Sequence, residues 1–191
     1  MSRTKVKQNV LDVSPGGILE HIIYRADGRT IATKQGNITV PNVTATTQTT
    51  ASHTLASGSN IDYIPPTGTT LVHYKYSYQS GPATTSTLVH SKVQLDNSSG
   101  TLTDVSQSRR TSYAIQLKDF WITTEALIRI TGTEDVANEQ VGTWAAARTI
   151  QTLVREYDSN FRSRLHDLYH WDGAGNTGII IKPIVEITAY S

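Results

Sequence analysis

Two histidines four residues apart form the most suggestive chemical motif in the sequence. His166 and His170 flank Asp167 and resemble the metalloprotease helix, in which two histidines on one helix face bind zinc. Residues 165–171, however, alternate in the manner of a strand, where a rise of about 3.3 Å per residue would separate the two rings by roughly 13 Å. One ion cannot contact both rings at that distance. The pattern therefore predicts no metal site and no cofactor. A metal-dependent hydrolase that uses these two histidines is kept as an alternative function.

Acidic residues crowd the last third of the chain. Two carboxylates among Glu156, Asp158, Asp167 and Asp172 could in principle form a glycosidase pair. No spacing brings any two of them together, and turn formation explains Asp158 and Asp172, because aspartate side chains bond to their own backbone. The sequence also has no phosphate-binding glycine loop and no Gly-x-Ser-x-Gly elbow. We expect no catalytic residues and no enzymatic activity.

Aromatic side chains offer two further candidate surfaces. Tyr74, Tyr76 and Tyr78 share one face of a strand and could stack on sugars or bases. With only two Phe in the chain, tyrosines are needed for the core, so we predict that these three lie in the core or in a subunit interface. The residues around a glycine-rich turn are the candidate contacts for a glycan or receptor. They are Tyr169, Trp171 and Asp172.

The N-terminal segment reads as a basic arm. Residues 1–16 carry Arg3, Lys5 and Lys7 and end in a Pro-Gly-Gly breaker, so we predict an arm over 1–16 and one folded domain over 17–191. The three basic side chains are candidate partner-binding residues, because such an arm can be ordered by a neighbouring subunit.

The composition of the chain limits the kinds of partner that it is expected to bind. The 191 residues include no cysteine, 37% hydrophobic residues and 17% charged residues, with a net charge of +1. So small a charge does not steer a protein to nucleic acid or to an anionic membrane. No apolar run reaches the roughly 18 residues of a membrane span, and the N-terminus does not look secretory. We expect no nucleic-acid partner, no membrane insertion, and assembly in a cytosol.

Strand signals recur about every ten residues, which is typical of an all-β antiparallel sandwich of jelly-roll type. Abundant Thr favours sheet as well. One short helix is predicted near 134–147, where Thr133 could cap it and three alanines favour it. An extended segment is predicted over 38–57. The predicted strands are 18–24, 30–33, 71–78, 86–95, 112–117, 120–131, 149–157, 165–171 and 178–190.

Both ends of the chain resemble a known family. The segments 153–160, 164–166, 171–173 and 180–187, together with 17–22 near the start, are similar to small β-rich virion proteins of marine tailed bacteriophages, such as tail or head fibres. The Thr-rich middle matches weakly. The resemblance implies a β-sandwich of phage origin.

The resemblance also implies a role in assembly. We expect a bacteriophage virion structural protein, a fibre or receptor-attachment component, located in the virion after assembly in the host cytoplasm. Its expected partners are other virion proteins, copies of itself in a homotrimer, and a host surface glycan. A capsid decoration protein and a glycan-binding or glycan-processing β-sandwich protein are the alternatives. Exposed sheet edges would be covered on assembly.

Overall fold

The computed structural model describes residues 16–83, 86–115, 119–168 and 179–191. Its regular structure is almost entirely β. In chain order the strands are β1 Ile18–Arg25, β2 Thr30–Thr33, β3 Gly36–Thr39, β4 Thr47–Gln48, β5 Thr54–Leu55, β6 Ile61–Tyr63, β7 Leu71–Pro82, β8 Ser86–Asp96, β9 Leu102–Asp104, β10 Arg110–Ile115, β11 Phe120–Ile130, β12 Gln140–Val141, β13 Arg148–Glu156, β14 Ser163–Leu165 and β15 Ile184–Tyr190.

Two sheets face each other across one core. The first has the order β1-β15-β7-β11-β12, with β14 pairing to β7 and β4 to β14. The second has the order β10-β8-β13-β5, with β6 added to β13 and β9 to β8, while β2 and β3 form a separate hairpin. Apart from the short parallel pair β11–β12, the strand pairs are antiparallel. The predicted all-β, sandwich-like fold is confirmed.

The tyrosines of β7 occupy the centre of this core. Tyr74, Tyr76 and Tyr78 are fully buried, and the last two stack with ring centroids 5.2 Å apart. The hydroxyl of Tyr74 donates to the carbonyl of Ser59 at 2.9 Å and lies 3.4 Å from Oγ1 of Thr152 on the second sheet. The prediction of a core role is confirmed, and a solvent-facing stacking platform is excluded at this position.

Short hydroxyl side chains also link the two sheets. Oγ of Ser91 on β8 lies 2.7 Å from Oγ1 of Thr124 on β11, and both residues are buried. A buried hydroxyl needs a partner, and two hydroxyls satisfy each other in little volume. A core built this way accommodates the Ser- and Thr-rich composition.

The predicted helix near 134–147 is wrong. The segment contains a 3₁₀ turn, Val136–Asn138, followed by β12, and Glu139 has a left-handed backbone with φ 62°. Buried Arg148 holds the carboxylate of Glu134 through two hydrogen bonds of 2.6 and 3.1 Å, which outweighs the modest helix propensity of the alanines. No helix in the described ranges is long and apolar enough to cross a membrane.

The predicted strands near the C-terminus are shorter than expected. β14 ends at Leu165 because His166 takes a left-handed conformation with φ 65°, so the predicted continuation through 168 is wrong, and 169–171 lie outside the described residues. The final strand begins at Ile184 instead of 178, directly after Pro183, which has no N–H for a ladder hydrogen bond. Among residues 179–183, Ile180 forms an isolated bridge with Asp167.

One glycine, Gly58, lies where three side chains meet. Gly58 has φ +87°, and a Cβ atom placed there would lie 2.7 to 2.9 Å from the side chains of Val43, Ala26 and Pro183. Real Cβ atoms do not approach other atoms so closely. The position therefore requires glycine for its backbone conformation and for space.

Candidate binding face

Strand register brings a band of basic and aromatic side chains together on the outer side of the second sheet. In the antiparallel ladder, His90 of β8 lies between Thr111 of β10 and Arg155 of β13. Two residues earlier in β8, in the next row of outward-facing side chains, Leu88 lies opposite Tyr113 of β10. Side chains at alternate positions share a face, so two neighbouring rows are presented on one surface.

The first row opens into a cleft of about 330 Å³. Its lining is dominated by nitrogen-bearing side chains from β8, from the start of β10, from β13 and from the loop before β5. We call this the cationic cleft. It is lined by His53, His90, Ser91, Lys92, Arg109, Arg110, Thr111 and Arg155.

Two carboxylates at the edges of the cleft balance part of its charge. Asp104 accepts from Nζ of Lys92 at 2.5 Å and lies 3.8 Å from Arg109. Burial opposes ionisation of Asp104, but its hydrogen bonds with Lys92 and Gln94 hold the pKa of this carboxyl below its usual value. Arg110 lies 3.7 Å from Glu125 of β11. Two acidic groups thus face four permanent cations.

The surroundings of the two histidines of the cleft disfavour their charged form. Burial lowers the pKa of His53, and the positive charges of Lys92 and Arg155 lower it further. Burial also lowers the pKa of His90, again reinforced by Arg155. An anion bound in the cleft would reverse the charge part of this effect, because a nearby negative charge favours the imidazolium form.

Two nitrogen atoms of the cleft have no hydrogen-bond partner among the described residues. Within the part that the structure describes, Nε of Arg155 and Nε2 of His90 are buried without a hydrogen-bond partner, although Nδ1 of His90 lies 2.9 Å from Oγ1 of Thr111. A buried donor without a partner costs free energy. An oxyanion in the cleft would accept from the Nε–H group of Arg155, and arginine is the side chain best suited to bind one.

Three aromatic rings lie beside the cleft, near the row of side chains that contains Leu88 and Tyr113. Phe161 lies between Tyr113 and Tyr157, with ring centroids 6.3 and 5.9 Å away, and Tyr157 lies 6.1 Å from the ring of His90. Tyr113 is 52% exposed and Tyr157 56% exposed. We call these three rings the aromatic rim, and the rim and the cationic cleft together the cationic–aromatic face.

The contact residues predicted from sequence cannot be placed on this face. Arg3, Lys5 and Lys7 lie outside the described residues, and so do Tyr169, Trp171 and Asp172. Those assignments remain predictions.

The histidine motif also falls partly outside the described residues, because His170 is not among them. His166 is fully buried, and burial lowers its pKa to about 4. Its ring packs 6.4 Å from that of Tyr78. In the described ranges, no three His, Cys, Asp or Glu side chains are grouped so that they could hold a metal ion.

Three of the four acidic residues of the last third have their own partners, and Asp172 lies outside the described residues. Glu156 is buried and accepts from Oγ1 of Thr49 at 3.2 Å, whereas Asp167 lies 3.6 Å from Arg164. Burial raises the pKa of Asp167. Asp158 accepts from the backbone N–H of Asn160 at 2.7 Å, which confirms its predicted role in a turn.

Sequence reasoning missed the cationic cleft, although one signal was present. Alternation in 86–95 places His90 and Lys92 on the same face of one strand, and Arg109 and Arg110 form a basic pair shortly afterwards. The approach of Arg155 depends on pairing between β8 and β13, which are separated by more than fifty residues. No local pattern encodes that pairing.

Comparison with known proteins does not assign a family. No family model matches the chain, and no curated protein sequence matches it. A chain from the structure of infectious bursal disease virus, Gx strain, is similar with a TM-score of 0.40 and 7% identity, over 91% of this chain and 38% of that one. The corresponding values for the Gt strain are 0.38, 8%, 91% and 38%.

An enzyme gives a weaker structural likeness. The GH26-CBM35 β-(1,4)-mannanase of Podospora anserina has a TM-score of 0.29 and 13% identity, over 90% of this chain and 28% of its own. This chain spans well under half the length of each of these proteins. Likeness at this level establishes neither shared ancestry nor shared function.

Proposed function

We propose that this chain is a structural protein of a bacteriophage virion, a fibre or receptor-attachment component that acts by assembly and binding. The resemblance of both chain ends to β-rich phage virion proteins gives the setting. In this proposal the basic arm with Arg3, Lys5 and Lys7 anchors the subunit to a neighbouring virion protein. The observation that carries the proposal is the open edge of the first sheet.

That edge is strand β1. Within the described residues, β1 pairs with β15 on one side, and no strand pairs with its other side. Ile18 and Ile23 on this strand are each 60% exposed. A long edge strand with apolar side chains is a template for pairing with another chain unless something covers it.

A second copy of the same chain is the proposed occupant. Ile23 lies beside Glu186 in the ladder, and Arg25 follows on the same face, so the edge combines an apolar centre with both signs of charge. Such a surface complements another copy of itself or of its neighbouring sheet. A cyclic trimer uses two different surfaces of each subunit, of which we assign β1 as one.

The test is the mass of the purified full-length protein in solution, measured by light scattering after size-exclusion chromatography. We expect a trimer for the unchanged chain. Ile23→Lys should shift the mass toward the monomer, because it removes apolar area and places a charge at the edge.

Leu102→Lys is the matched control, since Leu102 is also an exposed apolar residue, at 39%, but lies on the short strand β9 of the second sheet. It should leave the trimer intact. A monomeric parent protein, or an unchanged mass for Ile23→Lys, contradicts assembly through β1.

A further inference from the structure

We propose that the cationic–aromatic face binds an anionic carbohydrate, in which a sulfate or carboxylate group enters the cationic cleft and the sugar ring packs on the aromatic rim. This inference names the ligand class for the proposed attachment role and depends on that role for its biological setting. The face lies on the second sheet, whereas β1 is at the edge of the first.

The first support is a local excess of positive charge. Lys92, Arg109, Arg110 and Arg155 line the cleft, and Asp104 and Glu125 are the carboxylates in contact with them. The whole chain carries a net charge of only +1, so this concentration is a property of the site. Clefts lined by one sign of charge raise the local concentration of counter-ions of the opposite sign.

The second support is the arrangement of donors. Arg155 comes from β13 and His90 from β8, and each has a buried nitrogen with no partner among the described residues. Arg109 is 66% exposed in its side chain and has its carboxylate neighbour at 3.8 Å, a long contact that leaves most of its guanidinium to solvent. Guanidinium groups bind planar carboxylates and tetrahedral oxyanions through paired N–H groups.

The third support is the aromatic rim. Tyr113 and Tyr157 are more than half exposed, and Phe161 packs against both rings and restrains them. An ordered, exposed tyrosine provides an apolar face together with a polar hydroxyl, which suits a ligand that has both C–H and O–H groups. A sugar with an acidic substituent matches the order of features along this surface, from rings to cations.

A nucleic acid fits the same surface less well. A nucleic-acid strand repeats its charge about every 3.4 Å and needs a basic track of corresponding length. The cations here surround one cleft of about 330 Å³, and the next outward-facing row beyond Lys92 contains Gln94, Gln151 and Asp104. A saccharide that places one acidic group in the cleft and a sugar ring on the rim is better matched to that layout than a strand that needs a cation at each phosphate.

The experiment is isothermal titration of the full-length protein with three hexasaccharides and one oligonucleotide. The probes are a heparin hexasaccharide, a galacturonate hexamer, neutral maltohexaose and single-stranded dT12. We expect binding of at least one acidic oligosaccharide, no binding of the neutral one, and weaker binding as salt rises. Arg155→Gln and Arg109→Gln should each weaken the binding about tenfold or more, as expected for loss of a hydrogen bond to a charged group.

Arg129→Gln is the charge-matched control, because Arg129 is exposed on β11 of the first sheet. The affinity of this variant for the acidic oligosaccharide should equal that of the parent protein. Arg109→Gln alters a mostly exposed side chain, so it tests the proposal even if Arg155→Gln folds poorly. Tyr113→Ala should weaken sugar binding, whereas Trp121→Ala, at an exposed aromatic residue of the first sheet, should not.

The outcomes separate this inference from the proposed assembly. Absence of binding to both acidic sugars, or equal losses in Arg109→Gln and Arg129→Gln, overturns it. Tighter binding of dT12 than of either sugar, lost in the same variants, reassigns the face to nucleic acid and also overturns it. Each of these results leaves the solution mass untouched, and a failure of trimer formation leaves the sugar titration interpretable.

Discussion

His166 should make acid destabilise this protein. The side chain is fully buried behind β14, and burial lowers its pKa to about 4, while a nearby backbone group of Ser57 opposes the shift. In the unfolded chain the pKa of histidine is about 6.5. Between these values the unfolded chain binds the proton and the folded chain does not.

The size of the effect follows from the two pKa values. The contribution of His166 is fully present above pH 6.5 and is lost as the pH falls toward 4, because protonation then favours the unfolded chain. Each pKa unit corresponds to about 1.4 kcal/mol, so the total loss is about 3 kcal/mol. For a domain of this size, that corresponds to a fall in Tm of roughly 6–12 °C.

Urea unfolding at fixed protein concentration between pH 7 and pH 4 measures this loss. The variant is His166→Asn, because asparagine tolerates the left-handed backbone at φ 65° and does not titrate. It should be less stable than the parent at pH 7, since it leaves a cavity, but its stability should fall less steeply with acid. His21→Asn, at an exposed histidine of β1, is the matched control for replacing a histidine by asparagine.

Identical pH slopes for the parent and His166→Asn would refute the reasoning. The neighbouring Asp167 acts in the opposite direction, because burial raises its pKa and the folded chain therefore takes up its proton first as the pH falls. Both proteins retain Asp167, so its contribution cancels in the comparison.

Two further predictions concern stability alone. Gly58→Ala should destabilise the fold by more than about 2 kcal/mol, because it adds close contacts to backbone strain. Gly68→Ala, at φ +90° with open space around it, should cost only about 1 kcal/mol. Urea unfolding midpoints compare the two variants, and equal losses of stability would contradict the packing argument. Arg148→Ala should lower the free energy of unfolding by about 3 kcal/mol, because it removes a buried ion and leaves Glu134 without its main partner. Arg129→Ala is the control at an exposed arginine. Similar losses of stability in the two variants would contradict a special contribution of the buried pair.

Several features of this protein follow from the sequence alone. Strict alternation around Val72, Tyr74, Tyr76 and Tyr78 predicts a strand with one buried face, since the side-chain period of a strand is two residues. All four side chains are buried. The Asp158 turn is equally local, because the aspartate bonds to a backbone group two residues away.

Other features were decided by tertiary contacts. The alanines near residue 146 favour a helix, but Arg148 binds Glu134 and imposes a turn followed by β12. The left-handed backbone of His166 ends β14, although the surrounding pattern continues as a strand. Contacts between residues distant in sequence are absent from any local pattern, so local propensity gives the wrong result at these positions.

Part of the candidate binding face follows from the sequence, and part depends on the pairing of strands. That His90 and Lys92 share a face follows from their spacing within one strand. That Arg155, Arg109 and Tyr113 join them follows from the pairing of β10, β8 and β13, which brings together residues up to about sixty positions apart. The sequence determined which side chains could point outward, and the sheet order determined which of them meet, because register fixes neighbours across strands independently of their distance along the chain.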